Sequence, residues 1–138
     1  MDDCIFCRII SGKIPCTKIY EDNHVLSFLD IEPISDGHTL VIPKEHVVFM
    51  DQADPKIIEK IAGVLPLIAG AVKEAVNADG YNILNNNGLA AGQKVDHLHF
   101  HIIPRKQGDK IFPHWPAYQY PAGKAEEIAE IIQKKIEK

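Results

Sequence analysis

Between positions 97 and 103 the chain reads His97-Leu98-His99-Phe100-His101-Ile102-Ile103, a strict alternation of imidazoles with apolar side chains over its first six residues. Successive side chains of an extended strand point to opposite faces. The alternation therefore predicts a strand with three imidazoles on one face and Leu98, Phe100 and Ile102 turned to the core. With seven histidines in 138 residues, chance places three at this spacing in roughly 2% of comparable chains, so a chemical reason is expected. Three readings compete. One is a half-exposed strand with its polar residues outward. A second is a three-histidine metal site, disfavoured because imidazoles on one strand lie ~6.5 Å apart in succession and converge poorly on a metal at ~2 Å. The third is nucleophilic catalysis: a neutral imidazole, with an ordinary pKa of ~6.5, can form a covalent intermediate that divides one slow displacement into two faster ones. His99 is best placed for that role, having a neighbour on each side.

Length and charge limit what such a strand can serve. A chain of 138 residues has room for one core, so one site is expected. No apolar run approaches the ~20 residues of a membrane span. A net charge of -4 argues against holding polymeric nucleic acid, which calls for a basic surface, but leaves room for a small nucleotide. The start, Met1-Asp2-Asp3-Cys4, is acidic and leads into no apolar leader, so a cytoplasmic location is expected. Three cysteines do not make a disulfide framework. Cys4 and Cys7 form a C-x-x-C pair, read as a metal half-site or a redox pair, while Cys16 reads as a buried apolar residue.

The rest of the chain supplies an α+β pattern. Lys18 to Leu29 gives two short runs interrupted at Asp22-Asn23, the mark of a hairpin, and Thr39 to Ile42 is a third strand entered through Ser35-Asp36-Gly37. Asp54 as N-cap and Pro55 at the first helical position open the main helix, with Ile57, Ile58, Ile61, Leu65, Ile68, Val72 and Val76 at helical spacing. Pro66 is expected to kink or break it. Tyr81 to Leu84 reads as a strand. Asn85-Asn86-Asn87-Gly88 through Gly92 is a loop suited to positive φ, and the last strand is expected to begin near Lys94. Phe112 to Pro121 is rich in proline and aromatic residues. Beyond it, Ile128, Ala129, Ile131, Ile132 and Ile136 share one helical stripe, so a C-terminal helix is expected to dock on the domain or on a partner.

The heptapeptide matches the motif that defines the histidine triad (HIT) superfamily at all seven positions, and the chain resembles its Hint branch well beyond it. Asp30-Ile31, the run His38-Thr39-Leu40-Val41-Ile42-Pro43-Lys44-Glu45-His46, and Asn86, Gly88 and Gly92-Gln93 carry that resemblance. The opening Cys4-Ile5-Phe6-Cys7 with Gly12-Lys13-Ile14-Pro15 is similar to bacterial and archaeal members. The resemblance implies a HIT-like α+β fold: a five-stranded antiparallel sheet, one main helix, and short N-terminal and C-terminal helices. It implies one domain over 1–138, with a C-terminal helix from about 122 to 138 as an appendage.

It also implies a hydrolase of purine nucleoside phosphoramidates, with dinucleoside polyphosphate hydrolysis or nucleotide binding with incidental turnover as alternatives. His99 would take the nucleoside monophosphate as a nucleotidyl-histidine intermediate. His101 and His38 would contact the phosphate or leaving group. Asp30 would hold the ribose hydroxyls, Ile31 would join the base pocket, and Asn86, Gly92 and Gln93 would line the phosphate side. Lys94 stands where Hint enzymes carry a small hydroxyl residue, and a flexible cation there would favour a more anionic leaving group. His114-Trp115-Pro116 resembles the Hint C-terminus without carrying a role. By similarity to zinc-containing relatives, Cys4, Cys7, His46 and His97 would hold a structural Zn2+. A thioredoxin-like redox role for Cys4 and Cys7 would need a βαβ context that this N-terminus lacks. A homodimer is implied as well.

Overall fold

In the computed structural model, which describes residues 3–112 and 115–137, five antiparallel strands form one sheet in the order β1-β2-β3-β5-β4. The strands are β1 (Lys18–Glu21), β2 (Val25–Leu29), β3 (Thr39–Pro43), β4 (Gly80–Leu84) and β5 (Phe100–Arg105). The helices are α1 (Ile5–Ile10), α2 (Pro55–Ala75) and α3 (Lys124–Glu137). This is the expected α+β sheet with one main helix and a smaller helix near each end.

Local chemistry fixes the elements as the sequence predicts in most places. Asp22 turns the β1-β2 hairpin by accepting the His24 and Val25 amides at 2.7 and 2.8 Å. Asp54 caps α2 by accepting the Lys56 amide at 2.9 Å, with Pro55 just inside. Pro66 does not break α2, which runs through it for 21 residues. Ala62, whose carbonyl loses its helical donor to the proline ring, lies with Pro66 on the exposed side, where water can satisfy that carbonyl.

The sheet has two apolar faces. On one, Val25, Val41, Phe100 and Ile102 pack with Leu98 against Ile61, Ile68, Ala69 and Val72 of α2. On the other, Leu26, Phe28, Leu40 and Ile42 pack against Phe6 of α1. The register pairs Leu40 with His101 and Val41 with Phe100, so the imidazole of His101 lies on the α1 side while Phe100 faces α2. Leu98, Phe100 and Ile102 are buried as expected. The last strand, however, begins at Phe100 and not near Lys94. His97 and His99 lie on an irregular approach, because the carbonyl of His97 bonds to a histidine side chain and not to a neighbouring strand.

Cys16, expected to be buried, is half-buried at the edge of the α1-side cluster. Trp115 is 82% exposed, and His114 lies outside the described residues. No described residue of α3 is buried, and Ile131, Ile132 and Ile136 face solvent, so of the two surfaces expected to receive the helix the domain does not cover its stripe among the described residues.

Gly37, just before His38, has φ +87°, and a Cβ built there would stand 2.9 Å from Val76 Cγ1 and 3.3 Å from Pro104 Cγ. Both the left-handed backbone and the crowding oppose any side chain. Gly37→Ala is expected to destabilise the protein by about 2–4 kcal/mol, read as a lower urea midpoint at unchanged slope. An unchanged midpoint would contradict this account of the turn.

Candidate active site and metal centre

His38 from the turn entering β3, His99 from the approach to β5 and His101 from β5 converge on the α1 side of the sheet. His99 Nδ1 lies 2.7 Å from the carbonyl oxygen of His97. A carbonyl only accepts, so Nδ1 carries the hydrogen and Nε2 keeps its lone pair. Phe6 stands edge-on to the His99 ring at 5.1 Å, and the His101 ring lies 5.0 Å away.

The other two imidazoles form a relay whose hydrogens are also fixed. The Ile34 amide donates to His38 Nδ1 at 3.2 Å, so the hydrogen of neutral His38 sits on Nε2. That nitrogen donates to His101 Nδ1 at 2.9 Å, leaving His101 with its own hydrogen on Nε2. Asp30 Oδ2 stands 3.6 Å from His38 Nε2, while Oδ1 accepts the Glu32 amide at 2.9 Å. Burial lowers the pKa of His38 and His99, although Asp30 pulls both the other way. Burial likewise pushes His101 down to about 4, assisted by its His99 and His38 neighbours. All three are therefore neutral at physiological pH, the state a nucleophile and a directed donor require.

The loop before β5 supports this group. Asn85 Nδ2 donates to the carbonyl of His99 at 2.9 Å, a role not legible in the sequence because nothing distinguishes Asn85 from Asn86 and Asn87. Asn86 lies beside Gly92, where a Cβ would approach its Nδ2 to 3.7 Å. Gly88 and Gly92 have the positive φ expected of them, +92° and +89°. Gln93 is buried and cross-braces the loop, accepting the Gly88 amide at 2.7 Å and donating to the Val48 carbonyl at 2.9 Å. Ile31 is 86% exposed beside Asp30. Lys94 is exposed, in a cleft lined also by Asp3, Cys4, His46 and Asp96, on the side of the cysteines.

A second cluster lies behind the first. Cys4 Sγ and Cys7 Sγ stand 3.4 and 3.6 Å from His97 Nδ1, Cys7 Sγ stands 3.3 Å from His46 Nδ1, and the four ligand atoms all lie within 4.8 Å of one another. A tetrahedral site with sulfur at ~2.3 Å and nitrogen at ~2.0–2.1 Å sets sulfur–nitrogen separations of about 3.6 Å, so the donors fit a divalent metal. His97 Nε2 lies 2.9 Å from the Pro43 carbonyl, which takes its hydrogen and leaves Nδ1 free to ligate. Burial and the adjacent Cys4 sulfur push the Cys7 thiol up to about 11, the opposite of what a cation between the two sulfurs would do.

Asp30, His38 and His101 also bring three ligand atoms together, but they fit a metal poorly. A neutral His38 ligating through Nε2 would have to move its hydrogen to Nδ1, where the Ile34 amide already points. The Cys4-Cys7-His46-His97 group is therefore the metal centre candidate.

Comparison with known proteins agrees with this geometry. The HIT domain family model matches residues 11–108. The adenosine 5'-monophosphoramidase hnt1 of Schizosaccharomyces pombe is 44% identical over 96% of this chain and 98% of its own length. Adenylylsulfatase HINT3 of Arabidopsis thaliana is 46% identical over 80% of this chain, and the match spans only 56% of that protein. The crystal structure of SMU.412c from Streptococcus mutans superposes with a TM-score of 0.94 at 43% identity, covering 99% of this chain and 87% of that one. A Zn-bound histidine triad protein from Mycobacterium smegmatis superposes with a TM-score of 0.75 at 39% identity, covering 99% of both chains. With His97, His99 and His101 alternating into β5, an inner strand of a five-stranded antiparallel sheet, and with this match over most of its length, the chain belongs to the HIT family.

Proposed function

We propose that the protein hydrolyses purine nucleoside phosphoramidates through a nucleotidyl-histidine intermediate on His99 Nε2. The observation that carries this reading is the 2.7 Å bond from His99 Nδ1–H to the His97 carbonyl, which leaves Nε2 as an unprotonated nucleophile. In the first step Nε2 attacks phosphorus and the bond from phosphorus to the leaving nitrogen breaks. His101 Nε2–H hydrogen-bonds to that nitrogen, which takes one proton from solvent and departs as an amine. Water then attacks the phosphorus, restoring neutral His99 and returning one proton to solvent. The positive charge on the intermediate imidazole faces the His97 carbonyl, and Asp30 lies nearby.

An amine leaving group needs a proton, whereas the phosphate released from a dinucleoside polyphosphate does not. The donor on His101 Nε2 therefore favours the phosphoramidate over the polyphosphate. Asp30 Oδ2 is suited to the ribose hydroxyls, and Ile31 to the base. Asn86, Gly92 and Gln93 would shape the phosphate side, and Lys94, facing the cysteine side, would act on a leaving group only through its long flexible stem. The hydrolase named for the S. pombe relative supports the same substrate class.

The metal centre is assigned to Zn2+, whose ligand preferences match two thiolates and two imidazoles. When bound it would cross-link α1, the loop after β3 and the approach to β5, with all four positions taken by protein ligands and none left to activate water. A homodimer is proposed because β4 is an edge strand, with Tyr81 and Ile83 each 40% exposed, and Leu67 of α2 is 65% exposed. No described helix is long and apolar enough to cross a membrane, and three unpaired cysteines suit a reducing, cytoplasmic compartment.

His99→Ala is expected to bind nucleotide but to lose turnover and the burst of released amine, while His101→Ala should lose ~10²–10⁴-fold in kcat. Because burial lowers the His99 pKa, the acid limb of kcat/KM for the native enzyme should fall below pH 6.5, with activity lost only as the imidazole protonates below that value. Wild-type turnover in His99→Ala would end the assignment. Purified protein should carry one zinc per chain, and Cys4→Ser should lower metal content and melting temperature together; a metal-free native protein of unchanged stability would remove the zinc centre. Sedimentation at micromolar concentration should give a dimer, and a monomer throughout would refute the pairing through β4 and α2.

A further inference from the structure

We infer that His97 is a positioning residue, through which the metal centre decides which ring nitrogen of His99 is free to attack. This rests on the nucleotidyl-histidine and zinc readings above. The peptide plane between His97 and Leu98 is the object that links them. Its carbonyl accepts His99 Nδ1–H at 2.7 Å, and its amide donates to the Val47 carbonyl at 2.6 Å. Both ends of that plane lead to a metal ligand in one step. On one side is the ring of His97 itself, fully buried between the Pro43 carbonyl at 2.9 Å and the two sulfurs at 3.4 and 3.6 Å. On the other is Val47, the residue immediately after His46.

The two cysteines reach His99 by a third route. Phe6 sits between Cys4 and Cys7 on α1 and packs edge-on against both His97, at 5.8 Å, and His99, at 5.1 Å. The four ligands thus fix a carbonyl and an aromatic edge that together hold the His99 ring. The tautomer this carbonyl enforces, hydrogen on Nδ1, is the one free histidine disfavours in water, so the protein must impose it. If the ligand cluster loosens, the peptide plane can rotate. His99 then exchanges into the form with hydrogen on Nε2, which has no lone pair to offer phosphorus. No bond to the metal changes during catalysis; the residues around it act through the plane they hold.

The full-length protein with 15N-labelled histidines tests this directly. In the zinc-loaded protein the His99 signals should show a protonated Nδ1 and an unprotonated Nε2. After chelation, with circular dichroism confirming a folded chain, the two shifts should move toward each other as the tautomers mix. On a phosphoramidate, kcat should fall ~10–100-fold while KM changes by less than about two-fold. Where chelation unfolds the chain, Cys4→His, which keeps four donors, and Cys4→Ala, which does not, make the same comparison. Only Cys4→His should keep hydrogen on Nδ1. A folded metal-free protein whose His99 tautomer and kcat match the loaded form would overturn the inference, as would equal tautomers in the two variants. The ring-nitrogen readout needs no substrate. A tautomer change without any phosphoramidate turnover would count against that substrate class and leave the positioning role standing.

Discussion

The hydrogen bond from His99 Nδ1 to the His97 carbonyl is the constraint on which the site depends. An imidazole has two nitrogens and, when neutral, one hydrogen, so an enzyme that attacks with one nitrogen must occupy the other. Here the occupant is a main-chain carbonyl, and the 2.7 Å contact requires that carbonyl to leave the sheet's hydrogen-bonding ladder. The strand therefore begins only at Phe100, and the two histidines before it are held by side chains and by the neighbouring loops. Asn85, Val47 and Gln93 supply that support at the His99 carbonyl, the Leu98 amide and the Gly88 amide.

Burial gives the site its protonation state. Packing Leu98, Phe100 and Ile102 into the α2 face places the intervening imidazoles against Phe6 and Leu40, in a setting that disfavours charge. Neutral rings can then divide the roles through their hydrogens alone. The Ile34 amide sets His38, His38 sets His101, and the chain of donors ends at His101 Nε2, beside the His99 ring. The same logic separates the two clusters of potential metal ligands. In one the far nitrogen of an imidazole donates to a carbonyl, which frees the near one for a metal, and in the other it accepts from an amide.

Exposed apolar side chains include the β4 edge with the exposed side of α2, the isoleucine stripe of α3, Trp115 with Tyr118, and Ile31 beside Asp30. The hydrogen bonds that join His38 to His101 and His99 to the His97 carbonyl form within one chain.

The sequence by itself determined what depends on residue type and short-range spacing. The His97 to His101 alternation specified which side chains enter the core, Asp54-Pro55 specified where α2 begins, and Asp22-Asn23 placed the hairpin turn. The HIT resemblance carried His46 and His97 to Cys4 and Cys7, and the fold brings those four together. Other features rest on contacts between distant segments and were beyond reach. The persistence of α2 through Pro66 depends on which side of the helix meets water, and the exposure of α3 on whether another segment covers its isoleucine stripe. The tautomers of His38, His99 and His101 were decided only by the tertiary structure. Their hydrogen-bond partners include the Ile34 amide and the His97 carbonyl, backbone groups common to all residues but for the N–H that proline lacks, so the side chains at those positions do not announce the bond.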